Sequence, residues 1–373
     1  MRYAPRHAAS ALALLAAFAL GPLAAAPSAA LAASSADSSQ KSPMTSDYAE
    51  RQDVLEYLKT VSAERKIPLE WLQQEVALAR YSPLSEKYTT PRPKADKKTT
   101  PEKNFRLYER NLVNGERIEK GLAFIERNAA TLERIESETG VSLYAVTAII
   151  GVESIYGRNM GRFRVLDALM TLSFDYTRRA KYYRSELAHF LEFCWREQIS
   201  PVSVTGSFAG ALGLGQFMPA SLNAYGKDGD GDGHIDIVKN EADGIASVAN
   251  FLKIHGWARG EKPLYRAQAD AEIFKKVKAG GINVHATLGE LLEAGVKPVD
   301  PIPLAKTDKV MLVDLPWVDK ENAHGVDYYV GTPSFAAILR YNRSYFYAAA
   351  VSLLAQTLEE RRTAAAPKTA APQ

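Results

Sequence analysis

Ser142-Leu143-Tyr144-Ala145-Val146-Thr147-Ala148-Ile149-Ile150-Gly151-Val152-Glu153-Ser154-Ile155-Tyr156-Gly157 is an almost uncharged run broken by a single carboxylate. Ser142 is a good helix-capping type, and Leu143, Val146, Ile149 and Ile150 recur at helical spacing, so the pattern predicts a helix over 142–156. Glu153 lies seven residues after Val146 and three after Ile150, on the same stripe. Desolvation on that face should lift its pKa from roughly 4.3 towards neutrality, the range a general acid needs. Gly157 is expected to let the helix stop one turn later, leaving Glu153 near a helix end where a cleft can open. The competing reading is a core glutamate paired with an arginine.

Around this helix the pattern predicts further helices over 48–64, 68–80, 115–139, 168–172, 178–198 and 335–362. Pro91, Pro93 and Pro101 make 88–103 read as an extended strap. Val310, Leu312, Val326, Tyr328 and Val330 alternate with other residues and predict a small sheet before the last helix. The expected fold class is α+β, mainly α. A helical core spans 48–362, with an inserted α/β segment at about 220–334 and a disordered Ala/Pro/Thr tail over 363–373.

At 373 residues, 46% hydrophobic and 24% charged, the chain has ordinary globular composition and enough length for a substantial core. A formal net charge of +3 with no basic stripe argues against nucleic acid and suits an anionic polymer. Arg2 and Arg6 precede an apolar run from Ala8 to Leu20, and Ala30-Leu31-Ala32 offers a small-x-small cleavage site. Residues 1–32 are therefore expected to be an export signal, followed by a flexible spacer over 33–47, with a periplasmic destination. The only cysteine, Cys194, is far from that site, so no lipid anchor is expected; it reads as a small buried residue.

Asp228-Gly229-Asp230-Gly231-Asp232-Gly233-His234-Ile235-Asp236 matches an EF-hand calcium loop: carboxylates at positions 1, 3 and 5, glycine at 6 and a backbone carbonyl at 7. Asp228, Asp230, Asp232 and the carbonyl of His234 are the candidate ligands. Position 12 is Lys239 rather than glutamate, so a late ligand must come from Glu241 or Asp243. Asp243 also reads as the N-cap of a helix carrying Ile245, Val248, Leu252 and His255 on one face. One such loop without a second suggests a structural clamp; no organic cofactor is called for. The third feature, 206–219, interleaves four glycines with Ser207, Phe208, Gln216 and Phe217, which suits close approach to a flat polar ligand such as a sugar, or tight helix packing.

Taken in order, GVES (151–154), RVLDALMTLSFDYTRRA (164–180), GSFAGALGLGQFMPAS (206–221), DGDGDGHID (228–236), SVANFLKIHGW (247–257) and ILRYNRSYFYA (338–348) resemble the type-B lytic transglycosylases of the bacterial cell wall, over about 48–358. The resemblance implies a lysozyme-like helical core and peptidoglycan glycan strands as substrate; other cell-wall enzymes are candidate partners. It implies Glu153 as the catalytic acid/base. Ser207, Gln216, Arg178, Arg179, Tyr108, Tyr341 and Asn342 are implied to line the glycan cleft, and Asp228, Asp230, Asp232, His234 and Asp243 to bind one Ca2+. One extra residue between Asp236 and the SVAN helix leaves Glu241 as a rival for the last ligand. Without the resemblance, Arg178 and Arg179 also admit a reading as a solvated or core-pairing basic pair, and Tyr108, Tyr341 and Asn342 one as packing residues.

Hydrolytic glycosidases usually use two carboxylates about 5–9.5 Å apart. No second acid stands out here; Asp167 and Asp175 lie downstream in contexts that mark neither as a nucleophile. One acid suffices if the substrate supplies its own nucleophile, the 1,6-anhydro chemistry that the resemblance implies. The alternatives are a lysozyme-type hydrolase and a non-catalytic, calcium-stabilised glycan-binding scaffold.

Overall fold

The computed structural model describes residues 48–91 and 103–365. The export signal, the spacer, most of the proline strap and the tail beyond 365 lie outside the described residues.

The Leu143–Ser154 helix sits at the centre. Ser142 caps it by accepting from the Tyr144 amide at 3.2 Å. It is more enclosed than an amphipathic stripe requires, since Leu143, Ala145, Val146, Thr147, Ala148, Ile149, Ile150, Gly151 and Ser154 are all buried. A helix apolar on every side must be surrounded. The surrounding helices are Gly115–Arg127, Ala129–Thr139, Glu241–Ile254 and Tyr345–Ala365. Leu72, Leu169, Phe190 and Phe335 belong to the same large core, to which Cys194 adds a fully buried thiol.

Helix ends differ from the sequence expectation where tertiary contacts or caps intervene. The span expected over 115–139 is two helices, because Asn128 ends one and begins the next. The final helix is likewise two, Pro333–Tyr341 and Tyr345–Ala365, separated at Asn342–Ser344, and the second continues into residues 363–365, which were expected to be disordered. Residues 83–89 form a short helix that takes in 88 and 89, expected as the start of the strap: Pro83 occupies the first turn and Ser82 accepts from the Ser85 amide.

A five-stranded antiparallel sheet runs in the order Ala286–Thr287, Lys309–Val318, His324–Gly331, Leu264–Gln268, Lys297–Pro298. Its centre is the pairing of Lys309–Val318 with His324–Gly331, in which Leu312 faces Val330 and Asp314 faces Tyr328. The Lys309–Val318 strand is buried on both faces. Val310 and Leu312 join a second small core with Leu288, Leu291 and Val330, while Met311, Val313 and Leu315 join the helical core. The sheet unit occupies about 264–331, narrower than the expected insertion. The acidic loop lies outside it, between helices whose Leu222, Ile245 and Leu252 belong to the helical core.

Candidate active site

The central helix stops one residue after Glu153, earlier than Gly157 was expected to allow. Ile155 and Tyr156 both take left-handed backbone conformations. This reversal folds Tyr156 back beneath the helix, where its hydroxyl donates to the Arg117 carbonyl at 2.9 Å. Gly151 makes room for it: a Cβ there would stand 2.4 Å from the Tyr156 oxygen. The Ser154 hydroxyl accepts from the Gly157 amide at 3.1 Å and fixes the exit of the chain.

Glu153 is thus held at the terminus of a rigid element. The Tyr347 hydroxyl donates to its Oε1 at 2.7 Å. Burial raises the Glu153 carboxyl to about 7, with the Tyr347 hydrogen bond pulling the other way. No arginine pairs with it among the described residues, which sets aside the core ion pair, and no second carboxylate contributes to its shift. Asp167 accepts from the Arg80 amide at 2.9 Å and pairs with Arg164. Asp175 is held by Arg51 and by the Tyr48 hydroxyl, each at 2.6 Å. Both are committed to structure.

The other residues expected at the site fall into two groups. Tyr341 and Tyr108 surround the acid: burial raises both phenols, Tyr108 to about 12, and the charge of Glu153 adds to each shift. Tyr341 donates to the Gly215 carbonyl, which draws the glycine-rich loop to the same place. Gln216 follows in a left-handed conformation (φ 49°), strain of a kind that clusters at functional sites. Its Nε2 donates to the Gly213 carbonyl at 2.9 Å and to the Met160 carbonyl at 3.2 Å, tying that loop to the turn after Glu153. Asn342 ends the Pro333–Tyr341 helix with its Oδ1 buried and without a hydrogen-bond partner. Ser207, in contrast, spends its hydroxyl on the Ala209 and Ala211 amides of its own turn. Arg179 stacks on Tyr182 at 4.1 Å, and Arg178 is exposed. Sequence reasoning missed Tyr347; it stands in the quoted ILRYNRSYFYA motif, but nothing in its spacing singles it out.

The acidic loop gathers one carboxylate oxygen each from Asp228, Asp230 and Asp232 within 4.8 Å of one another, all exposed. An all-oxygen donor set of this kind fits a hard divalent cation. The Gly231 and Gly233 amides donate to Asp228, at 2.6 and 2.9 Å, and hold its carboxyl below the usual range. Asp243 is not the N-cap of the next helix; Asn240 is, accepting from the Ala242 amide at 2.9 Å. Asp243 lies buried in the first turn, and its two oxygens accept from the Gly229 amide at 2.7 Å and the Asp236 amide at 2.6 Å, clasping both ends of the loop. Glu241 points elsewhere, paired with Arg127 at 2.8 Å and bonded to Asn128.

The family described as the transglycosylase SLT domain matches residues 50–356. The chain belongs to this family. Membrane-bound lytic murein transglycosylase B of Escherichia coli K12 is 37% identical over 251 residues, which are 67% of this chain and 66% of that protein. Among solved structures, soluble lytic transglycosylase SltB1 of Pseudomonas aeruginosa is 36% identical with a TM-score of 0.74, covering 83% of this chain and 99% of the other. The lytic transglycosylase Slt35 of Escherichia coli, solved in complex with calcium, is 31% identical with a TM-score of 0.72, covering 86% and 96%. As a member of the transglycosylase SLT family, the chain has Glu153, Tyr347, Tyr341 and Gln216 converging inside the matched region.

Proposed function

We propose that this protein is a peptidoglycan lytic transglycosylase that cleaves the β-1,4 bond between N-acetylmuramic acid and N-acetylglucosamine without water. Glu153, protonated near neutrality, gives its proton to the glycosidic oxygen as the bond from that oxygen to C1 breaks. The acetamido group of the muramic acid residue stabilises the cationic sugar. Glu153, now a carboxylate, takes the proton of the C6 hydroxyl while that oxygen bonds to C1. The products are a 1,6-anhydro end and a free N-acetylglucosamine hydroxyl, and Glu153 ends protonated as it began. Tyr347 keeps the carboxyl oriented; Tyr341, Gln216 and the unsatisfied Asn342 Oδ1 hold the sugar. Ser207, Arg178, Arg179 and Tyr108 are assigned to the cleft wall.

The observation that carries this reading is a lone carboxyl raised to about 7 with no second acid acting on it among the described residues. Asp228, Asp230, Asp232 and the His234 carbonyl would hold one Ca2+, with Asp243, which clasps both ends of the loop, as the remaining ligand; bound there, the ion would supply loop rigidity and no chemistry. A cell-wall substrate places the enzyme outside the cytoplasm, in keeping with the expected export signal. Mass spectrometry of soluble fragments released from purified peptidoglycan tests the proposal. Anhydro-muramyl products are expected; products heavier by one water would indicate a hydrolase, and binding without any product a scaffold.

A further inference from the structure

The short Pro83–Thr89 helix, which the prolines after it concealed, brings together two segments far apart in sequence. The Tyr176 hydroxyl donates to the Thr89 carbonyl at 3.2 Å, joining the helix to the segment that carries Arg178 and Arg179. One residue earlier, the Tyr88 ring meets Phe208 edge-on at 5.6 Å and Phe163 at 6.3 Å, and those two rings meet each other at 6.4 Å. Three aromatic rings in mutual edge contact normally mark a core, yet Tyr88 is 52% exposed.

The cluster is rigidly placed. Phe163 pairs with Gly206 in a two-stranded ladder, and Gly161 lies so close that a Cβ on it would stand 2.0 Å from the Gly206 carbonyl oxygen. Phe208 follows Ser207 in the glycine-rich loop. A continuous path therefore leads from Glu153 through the turn that ends at Met160, across the Gln216 side chain bonded to Met160, to Gly161 and Gly206, and out to the three rings. The exposed Tyr88 ring, backed by the half-buried Phe163 and Phe208, is thus tied through the glycine-rich loop to the cleft assigned above. The flat, hydrogen-rich face of a pyranose stacks on such a ring while its hydroxyls stay in water.

We infer that Tyr88, braced by Phe163 and Phe208, is a stacking platform for a sugar of the same glycan strand lying beyond those at the cleaved bond, so that the enzyme favours long strands over short ones. The inference rests on the cleft assigned above. Its test measures binding rather than turnover: calorimetry, in a Glu153→Gln background, of peptide-free glycan strands made of alternating N-acetylglucosamine and N-acetylmuramic acid. A tetrasaccharide is compared with strands several times longer. Tyr88→Ala is expected to weaken binding of the long strands about tenfold, as truncating a single aromatic anchor does, and to leave the tetrasaccharide unchanged. Tyr88→Phe should bind like the parent, because the ring face and not the hydroxyl makes the contact. Phe208→Leu, which keeps apolar volume but removes a bracing ring, should repeat the selective loss. Unchanged long-strand affinity, equal weakening at both lengths, or failure of Tyr88→Phe to bind would each overturn the platform. Failure of the wild type to release anhydro products would defeat the reaction proposed above while leaving this comparison of strand lengths readable.

Discussion

Glu153 and Asp228 are both carboxylates where a helical segment gives way to a turn, and the fold treats them in opposite ways. Glu153 stands at the end of the most enclosed helix, receives one hydrogen bond, and is lifted to about 7 by burial. Asp228 stands in an exposed glycine-rich loop, receives two backbone amides, and is pulled below its usual range. The residue type does not decide whether a carboxyl keeps or sheds its proton; the number of donors and the depth of burial do. Each environment is already written in its flanking residues, apolar on one side and alternating with glycine on the other.

The contrast is broken most severely at the acid itself. Glu153→Gln should keep the fold and glycan binding while turnover on purified peptidoglycan falls on the order of a thousandfold; a folded variant retaining most of its rate would refute the assignment. Tyr347→Phe should cost about tenfold in rate. Its hydrogen bond lowers the Glu153 pKa, so losing it should carry the alkaline limb of the pH–rate profile further above about 7. A limb that moves down instead would contradict the sign.

At the other carboxylate site the readout is stability. Saturating Ca2+ should raise the melting temperature by about 5 °C, and a chelator should reverse the gain, while the rate at 25 °C stays nearly constant. Asp228→Asn should abolish most of that response, and a melting point indifferent to ion and chelator would remove the calcium assignment. The last effect is read at the Glu153 site alone, as a dependence of stability on pH. Because the folded-state pKa of Glu153 lies above its ordinary value, the native protein binds the extra proton, so its stability declines as pH rises from about 4.5 to about 7. Glu153→Gln lacks that dependence and should gain on the order of 3 kcal/mol relative to wild type at pH 8, against little difference at pH 4. Denaturant melts at the two pH values measure it.

Much of this was legible from residue order. The Leu143–Ser154 helix, its Ser142 cap and the acidic loop follow from local chemistry, and the family resemblance agrees with the family match over 50–356. What stayed hidden depends on partners distant in the chain. Tyr347 approaches Glu153 across 194 residues of sequence, and no local pattern distinguishes it from Tyr345 two positions earlier. Short helices such as Pro83–Thr89 and Pro219–Tyr225 are marginal alone and are held by distant packing that buries Ser85 and Leu222. The alternation of Val310 and Leu312 was readable, but the equal burial of Met311 and Val313 between them was not, because it reflects a second core on the opposite face.

That doubly buried strand sets a limit on how small this enzyme can be made. Removing the sheet unit at its apparent boundaries would strip Met311, Val313 and Leu315 from the helical core, to which Phe335 also belongs. The helix that carries Tyr347 packs on that same strand. A stripped-down version that keeps only the helices would therefore lose not an appendage but the backing of the helix whose Tyr347 bonds Glu153.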